Sequence, residues 1–307
     1  MARMKLEKRH REAGALAERE GFCHLMRRHA AMFFDRGPDR LVVTFDNLVS
    51  RNAPLPHYPW AYSFVETLGA SHLGLVMSGP EDWFRHADVL DFFDILQEDG
   101  FFSRFGEVVF YGSSMGGYGA LTFARAAPGC RVVAFVPQTQ LDPVVVPFET
   151  RYPEERARGQ WWGRYLDAVD GARAASSVYV LYDPYFPADA RHVARLDPSN
   201  LVPLRLPWAT HQAGPVLRRT GRLAQILASA FAGTLSAGDF RHVVRSAGRS
   251  GMAARLILRA GLERGHPELV RQTLQRLRIS HPEWDFPMLR QAARHALHAQ
   301  VEDATSR

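Results

Sequence analysis

The stretch from Val108 to Leu121 reads VVFYGSSMGGYGAL, and its first four residues are a β-branched and aromatic run of the kind that forms a buried strand. Directly after it, Gly112-Ser113-Ser114-Met115-Gly116 makes a Gly-x-Ser-x-Gly pattern centred on Ser114, and Gly117-Tyr118-Gly119-Ala120-Leu121 opens a helix of small residues. The glycines have a steric purpose. A sharp strand-to-helix turn leaves no room for a side chain two positions before or after its central residue, so that residue is pushed out of the sheet. Ser114 would then stand at a helix start, where unpaired N–H groups and the helix dipole favour a developing negative charge.

Two other strand–loop–helix readings fail on neighbouring residues. Gly112 and Gly117 have the spacing of a phosphate-cradling loop, but Tyr118 and Gly119 stand where Lys and Ser/Thr are required. The dinucleotide pattern Gly-x-Gly-x-x-Gly fails because Gly117 and Gly119 are followed by Thr122 in the third place. A serine nucleophile needs a base and an orienting acid, and both have candidates in a workable chain order. The run VYVLY, Val178 to Tyr182, leads into Asp183-Pro184-Tyr185-Phe186-Pro187, and the last strand run leads through Pro207 and Trp208 to His211. Ser114, Asp183 and His211 are therefore the expected triad, with Asp189, in the helical stretch after it, as the second choice of acid.

Working outward, six near-continuous apolar runs read as strands buried on both faces: Leu41 to Phe45, His72 to Met77, Val108 to Tyr111, Arg131 to Val136, Val178 to Tyr182 and Val202 to Leu206. Helical patterns such as Ala87 to Glu98 and Gly117 to Ala126 lie between them, long enough for right-handed crossovers. The fold class expected is α/β, a doubly wound, mostly parallel six-stranded sheet. Beyond about residue 213 only helical patterns remain. The stretch before Phe34 also reads as helix, with Leu16, Phe22, Leu25 and Met26 as its apolar face.

On these residues the sequence resembles the α/β-hydrolase superfamily over residues 41 to about 232. YGSSMGGYGAL is similar to its nucleophile elbow, and DPYFPADARHVARL to its acid loop and following helix. The resemblance implies strands three to eight of the family, in spatial order 4-3-5-6-7-8, with the first two antiparallel strands missing and replaced by N-terminal helix. The organisation implied is a helical extension over 1–40, a catalytic domain over 41–235 with a cap segment at 137–176, and a helical region over 236–307. The common His-Gly signature after the first strand is absent, and Thr44-Phe45-Asp46-Asn47 stands there. By position, the backbone N–H groups of Met115 and Asn47 would be the oxyanion donors. Phe148, Arg151, Trp161 and Trp162 in the cap are the substrate-binding candidates, Arg151 for an acidic group. The activity implied is serine-ester hydrolysis of esterase or thioesterase type through an acyl-enzyme, without cofactor or metal. Acyl transfer or deacylation in surface polysaccharide metabolism, and a degenerate fold that binds a protein through its helical tail, are the alternatives.

Composition narrows the rest. With 307 residues, 46% of them apolar and 23% charged, the chain can bury a full core, which excludes disorder, collagen and coiled coil. No apolar run approaches the ~18 residues of a membrane span, and MARMKLEKRHREAG is too charged for a signal-peptide core, so a cytoplasmic protein acting on a small-molecule or acylated substrate is expected. Residues 41–210 carry 13 Lys/Arg against 19 Asp/Glu, whereas residues 211–307 carry 15 against 7. Nucleic-acid binding is not expected from that basic end, which lacks interleaved stacking aromatics. Cys23 and Cys130 are far apart and read as reduced, packed thiols. His295 and His298 share a helix face without a carboxylate at ligand spacing and read as surface residues.

Overall fold

The computed structural model describes residues 10–47, 57–77, 82–197, 199–247 and 251–305. Among them a single sheet is built from β1 (Gly21–Leu25), β2 (His29–Phe34), β3 (Arg40–Phe45), β4 (Ser71–Met77), β5 (Glu107–Ser113), β6 (Arg131–Phe135), β7 (Ser177–Tyr182) and β8 (Leu201–Arg205). Its spatial order is β1-β2-β4-β3-β5-β6-β7-β8. The six expected strands are β3 to β8, all parallel, with β4 outside β3.

The strand count expected from the sequence is corrected from six to eight. Only Arg11–Glu20 of the described N-terminal residues forms an α-helix of any length, and the chain then makes an antiparallel hairpin of β1 and β2 that pairs with β4. Phe22, Leu25 and Met26 have helical spacing, and the alanines of HAAMFF favour helix by propensity. Tertiary burial overrides that preference. All six residues of β2 are buried. Ala30, Met32 and Phe34 pack under Ala13 and Ala17 of the first helix, while Ala31 and Phe33 face the main core.

Both sheet faces are covered. On one, Phe45 stacks on Phe123 at 5.6 Å and Phe93 on Phe123 at 4.1 Å, joining β3 to helices Ala87–Glu98 and Met115–Phe123. On the other, Tyr111 meets Phe231 at 5.3 Å, and helix Ala237–Ala247 sends the fully buried Phe240 into the same cluster. Helices Gly251–Glu263, Pro267–Ser280 and Pro287–Thr305 share a smaller core of Leu258, Val270, Leu274, Phe286 and Ala293. No helix among the described residues is long and apolar enough to cross a membrane.

This topology gathers the carboxyl ends of β3, β5, β7 and β8 along one edge of the sheet. In open parallel sheets that edge is where ligands are met.

Candidate active site

The turn between β5 and helix Met115–Phe123 holds Ser114 at φ 56°, ψ −120°, in the left-handed half of backbone space that a non-glycine residue occupies only under constraint. Its neighbours explain why glycine is required on both sides. A Cβ on Gly112 would lie 1.9 Å from the Gly116 carbonyl oxygen, and one on Gly116 would lie 2.7 Å from that of Phe45 and 3.1 Å from that of Asp46. The Ser114 N–H donates to the Phe135 carbonyl at 2.8 Å, which fixes the corner to β6. Close approach of Gly116 to the end of β3 brings the Phe45 and Asp46 carbonyls against the start of the helix that Met115 opens.

His211 comes from the loop after β8. That loop is itself held in strained backbone, with Trp208 at φ 68° and Thr210 at φ 51°. The imidazole Nε2 lies 2.9 Å from Ser114 Oγ. Its Nδ1 lies 2.8 Å from Oδ2 of Asp189, not of Asp183. The expected acid is therefore displaced by the second choice. Asp183, at the end of β7, spends both oxygens on backbone: Oδ1 accepts from the Tyr185 N–H at 2.9 Å and Oδ2 from the Thr210 N–H at 2.8 Å. Asp189 sits in the first turn of helix Pro187–Val193, wholly buried and turned toward the imidazole.

An ionised carboxylate can only accept, so Nδ1 carries the ring proton and donates it to Asp189. Nε2 is then left with its lone pair on the Ser114 hydroxyl, which is the arrangement a general base needs. Eight strands in this order, a strained serine at the strand-to-helix corner, and an imidazole against its oxygen leave one architecture. This is the α/β-hydrolase fold.

Around Ser114, His211 and Asp189 lies a buried polar cluster. Arg151 donates through Nη1 to Asp189 Oδ1 at 2.9 Å, through Nε to Glu149 at 3.0 and 3.1 Å, and through Nη2 to Glu149 Oε2 at 2.5 Å. Its Nη1 also stands 3.2 Å from Nδ1 of His211. Glu149 accepts a further bond from His192 Nε2 at 3.1 Å, and His192 Nδ1 accepts from the Thr139 N–H at 3.1 Å, so His192 is neutral with its proton on Nε2. Burial pushes the His192 pKa down. Burial alone would raise the Glu149 carboxyl, but the bonds from His192 and Arg151 outweigh it and bring the group from its ordinary 4.5 to about 2. Arg151 is held well above the usual guanidinium range, burial opposing and Glu149 and Asp189 prevailing. Glu149, Asp189 and His192 are fully buried, and only Arg151 keeps partial access.

The remaining candidates from the segment 137–176 divide. Phe148 packs on His192 at 4.9 Å and under Arg191 at 4.2 Å. Trp161 is buried in the core, its Nε1 donating to the Arg156 carbonyl at 3.2 Å. Trp162 turns its ring to solvent, 66% exposed. Its carbonyl, with those of Gln160, Arg164 and Tyr165, accepts from the buried Arg85, around which this stretch is wound. Tyr152, one of the aromatics that the sequence offers for a lid over the substrate, has a side-chain hydrogen bond with Ser114, and Gln138 Nε2 donates to its hydroxyl at 3.4 Å. Glu149 was read in the same segment without a role, and His192 was not singled out; its spacing from Asp189, three apart on one helix face, is a local signal that could have found it.

Neither cysteine competes as a nucleophile. Burial pushes Cys23 up to about 11 and Cys130 up to about 12, so both stay protonated near neutrality. Among the described residues, no group of three or more His, Cys, Asp or Glu side chains could hold a metal ion.

No family model matches the chain, and no curated protein is significantly similar to it. Solved structures align with part of the chain at low identity. The capsule O-acetyltransferase of Neisseria meningitidis serogroup A aligns over 65% of this chain and 92% of its own, at 11% identity and TM-score 0.42. Est1E from Butyrivibrio proteoclasticus aligns over 66% and 95%, at 10% identity and TM-score 0.43. The Pyrobaculum calidifontis esterase aligns over 68% and 82%, at 14% identity and TM-score 0.41.

Proposed function

We propose that the chain is a serine acyl-transferring enzyme of esterase or thioesterase type, working through an acyl-enzyme on Ser114. The observation that carries this reading is the chain of short contacts from Asp189 Oδ2 to His211 Nδ1, 2.8 Å, and from His211 Nε2 to Ser114 Oγ, 2.9 Å, at a residue in strained backbone. In the first step Ser114 Oγ bonds to the substrate's carbonyl carbon while its proton passes to His211 Nε2. The oxyanion that forms is received by the N–H groups of Met115 and Asn47. His211 then returns its proton to the leaving oxygen or sulfur as that bond breaks. Water, or an acceptor hydroxyl, repeats the sequence on the acyl-serine and releases acid or a new ester. Asp189 keeps the imidazole in the productive tautomer and offsets its charge.

Arg151 is engaged by two carboxylates and so is read as part of the triad's surroundings rather than as a receptor for an acidic substrate group. Tyr152, linked to Ser114 by a side-chain hydrogen bond, is the residue that would meet the acyl or leaving group. A pure binding role for the fold is the second reading. It gains support from the separate core of the helices beyond residue 251. A fluorophosphonate probe separates the two. Wild-type protein should label at Ser114, and Ser114→Ala and His211→Ala should not. Absence of serine-dependent labelling in folded wild type would overturn the enzymatic reading. A p-nitrophenyl ester series, run with and without a polyol or saccharide acceptor, then divides hydrolysis from transfer.

A further inference from the structure

The triad of this chain has a second layer that a serine, a histidine and one carboxylate do not require. His211 is faced by Ser114 from the nucleophile turn, by Asp189 from helix Pro187–Val193, and by Arg151 from the cap. Behind Arg151 stands Glu149, and behind Glu149 the neutral His192. The Phe186 ring lies at 6.4 Å, Asp183 reaches the same loop only through the Thr210 N–H, and the Tyr152 hydroxyl meets Ser114 rather than the imidazole.

A cation beside the triad's acid has a cost. Arg151 on Asp189 Oδ1 by itself would neutralise the carboxylate that must offset the imidazolium formed when Ser114 gives up its proton. Glu149 restores the balance. With His192 neutral, the buried groups Glu149, Arg151 and Asp189 together carry a single negative charge, as a lone triad aspartate would. Protonation of His211 takes the cluster to zero.

We propose that Arg151 and Glu149 are positioning residues of the proposed triad: Arg151 locks the Asp189 carboxylate in the plane of His211, and Glu149 supplies the negative charge that Arg151 removes. The inference rests on the reading of Ser114, His211 and Asp189 given above. It also accounts for the placement of the cap, since residues 149 to 152 tie the segment over the serine to the acid.

The signs of two substitutions separate this from a merely structural role. Glu149→Gln leaves Arg151 uncompensated against Asp189, so the imidazolium is disfavoured. The His211 titration should fall by about one unit, and turnover should drop about tenfold or more. Arg151→Gln leaves two buried carboxylates facing one imidazole, and the titration should rise by about one unit. Arg151→Lys keeps the charge and should return the titration to within about 0.3 unit of wild type, although the lost fork lowers turnover. The titration is read by ¹⁵N-histidine NMR on the full chain, with His211→Ala for assignment, and in parallel as the acid limb of kcat/KM. Displacement of both variants in the same direction, or of neither, overturns the proposal. If Glu149→Gln does not fold, the two Arg151 variants decide alone: a fall or no change in Arg151→Gln overturns it. The NMR titration needs no turnover, so failure of serine labelling sinks the functional reading while the fate of the charge network is still read.

Discussion

Replacing each of the two candidate acids by its amide should give losses of very different size, and the neighbouring atoms fix the order. At Asp189→Asn, Arg151 Nη1 continues to donate toward the position of Oδ1, 2.9 Å away in the native protein, so the amide oxygen must turn that way. The amide NH2 is thereby driven onto His211 Nδ1, where Oδ2 stood at 2.8 Å. Two donors cannot face one another, so Nδ1 gives up its proton and becomes the acceptor. The proton moves to Nε2 and points at Ser114 Oγ, 2.9 Å away, which removes the base. A locked wrong tautomer in a serine triad costs on the order of 10³–10⁴ in kcat, about 4–5.5 kcal/mol of transition-state stabilisation.

At Asp183→Asn, by contrast, the imidazole keeps its carboxylate. The amide oxygen can still accept from one of the Tyr185 and Thr210 N–H groups, and the other is left against NH2. That is the cost of one buried unsatisfied donor, about 1–3 kcal/mol of stability, with turnover falling about tenfold at most. The assay is kcat on a p-nitrophenyl ester and the rate of fluorophosphonate labelling, beside a thermal melt of each variant. Equal or greater loss of labelling in a folded Asp183→Asn than in Asp189→Asn would refute the assignment of Asp189.

Ser114→Gly should abolish labelling and raise the melting temperature, because glycine relieves φ 56° and strain of this kind is worth about 1–3 kcal/mol. Arg85→Met should lower stability by several kcal/mol, since it strands the carbonyls of Gln160, Trp162, Arg164 and Tyr165 in and around the cap; limited proteolysis should then cut first within 159–166. Stability should also depend on Glu149 in acid. Its folded pKa, about 2, lies below the ordinary 4.5, so the stabilisation is complete above about 4.5 and is lost as pH falls toward 2. Thermal melts of Glu149→Gln between pH 5 and pH 2 should therefore decline less steeply than those of wild type, and parallel curves would contradict this. Arg264→Ala should lower kcat several-fold at unchanged melting temperature, because its guanidinium, 4.2 Å over the Trp208 ring, steadies the histidine loop; an unchanged kcat would show that the C-terminal helices are uncoupled from the site.

What could be read from the sequence follows the range of the forces involved. Ser114 was legible because its signal is local: glycine is demanded two residues before and two after by backbone atoms within the same turn and the adjacent strand. His211 was legible from chain order, since the loop after the last strand ends beside the first residue of the nucleophile helix. The acid was not. Asp183 and Asp189 lie on either side of Pro187, and only the direction in which the helix Pro187–Val193 leaves the sheet decides which of them meets the imidazole. The roles of Arg151 and Glu149 were further out of reach, because their partners lie 38, 43 and 60 residues away along the chain. The N-terminal hairpin was misread for a related reason. HAAMFF has no period-2 alternation, since it is covered on both faces, and its alanines speak for helix until β4 is there to pair with it.

The division of labour between the two aspartates explains why a strained loop can hold a base in register. Trp208 and Thr210 both have positive φ, a conformation that persists only where the surroundings over-determine it. Asp183 supplies one constraint by joining the Tyr185 and Thr210 N–H groups, so that the acid loop and the histidine loop move as one body. Arg264, at the end of helix Gly251–Glu263, supplies another. It lies over both Trp208 and Tyr185, whose rings are 4.8 Å apart, and donates to the Tyr185 carbonyl. Asp189 and Ser114 then fix the ring itself. Backbone is tied by one carboxylate and imidazole by the other. Helix Gly251–Glu263 is thus tied to the histidine loop through Arg264 at its end and through Leu256, which packs against the cluster that holds Ala209.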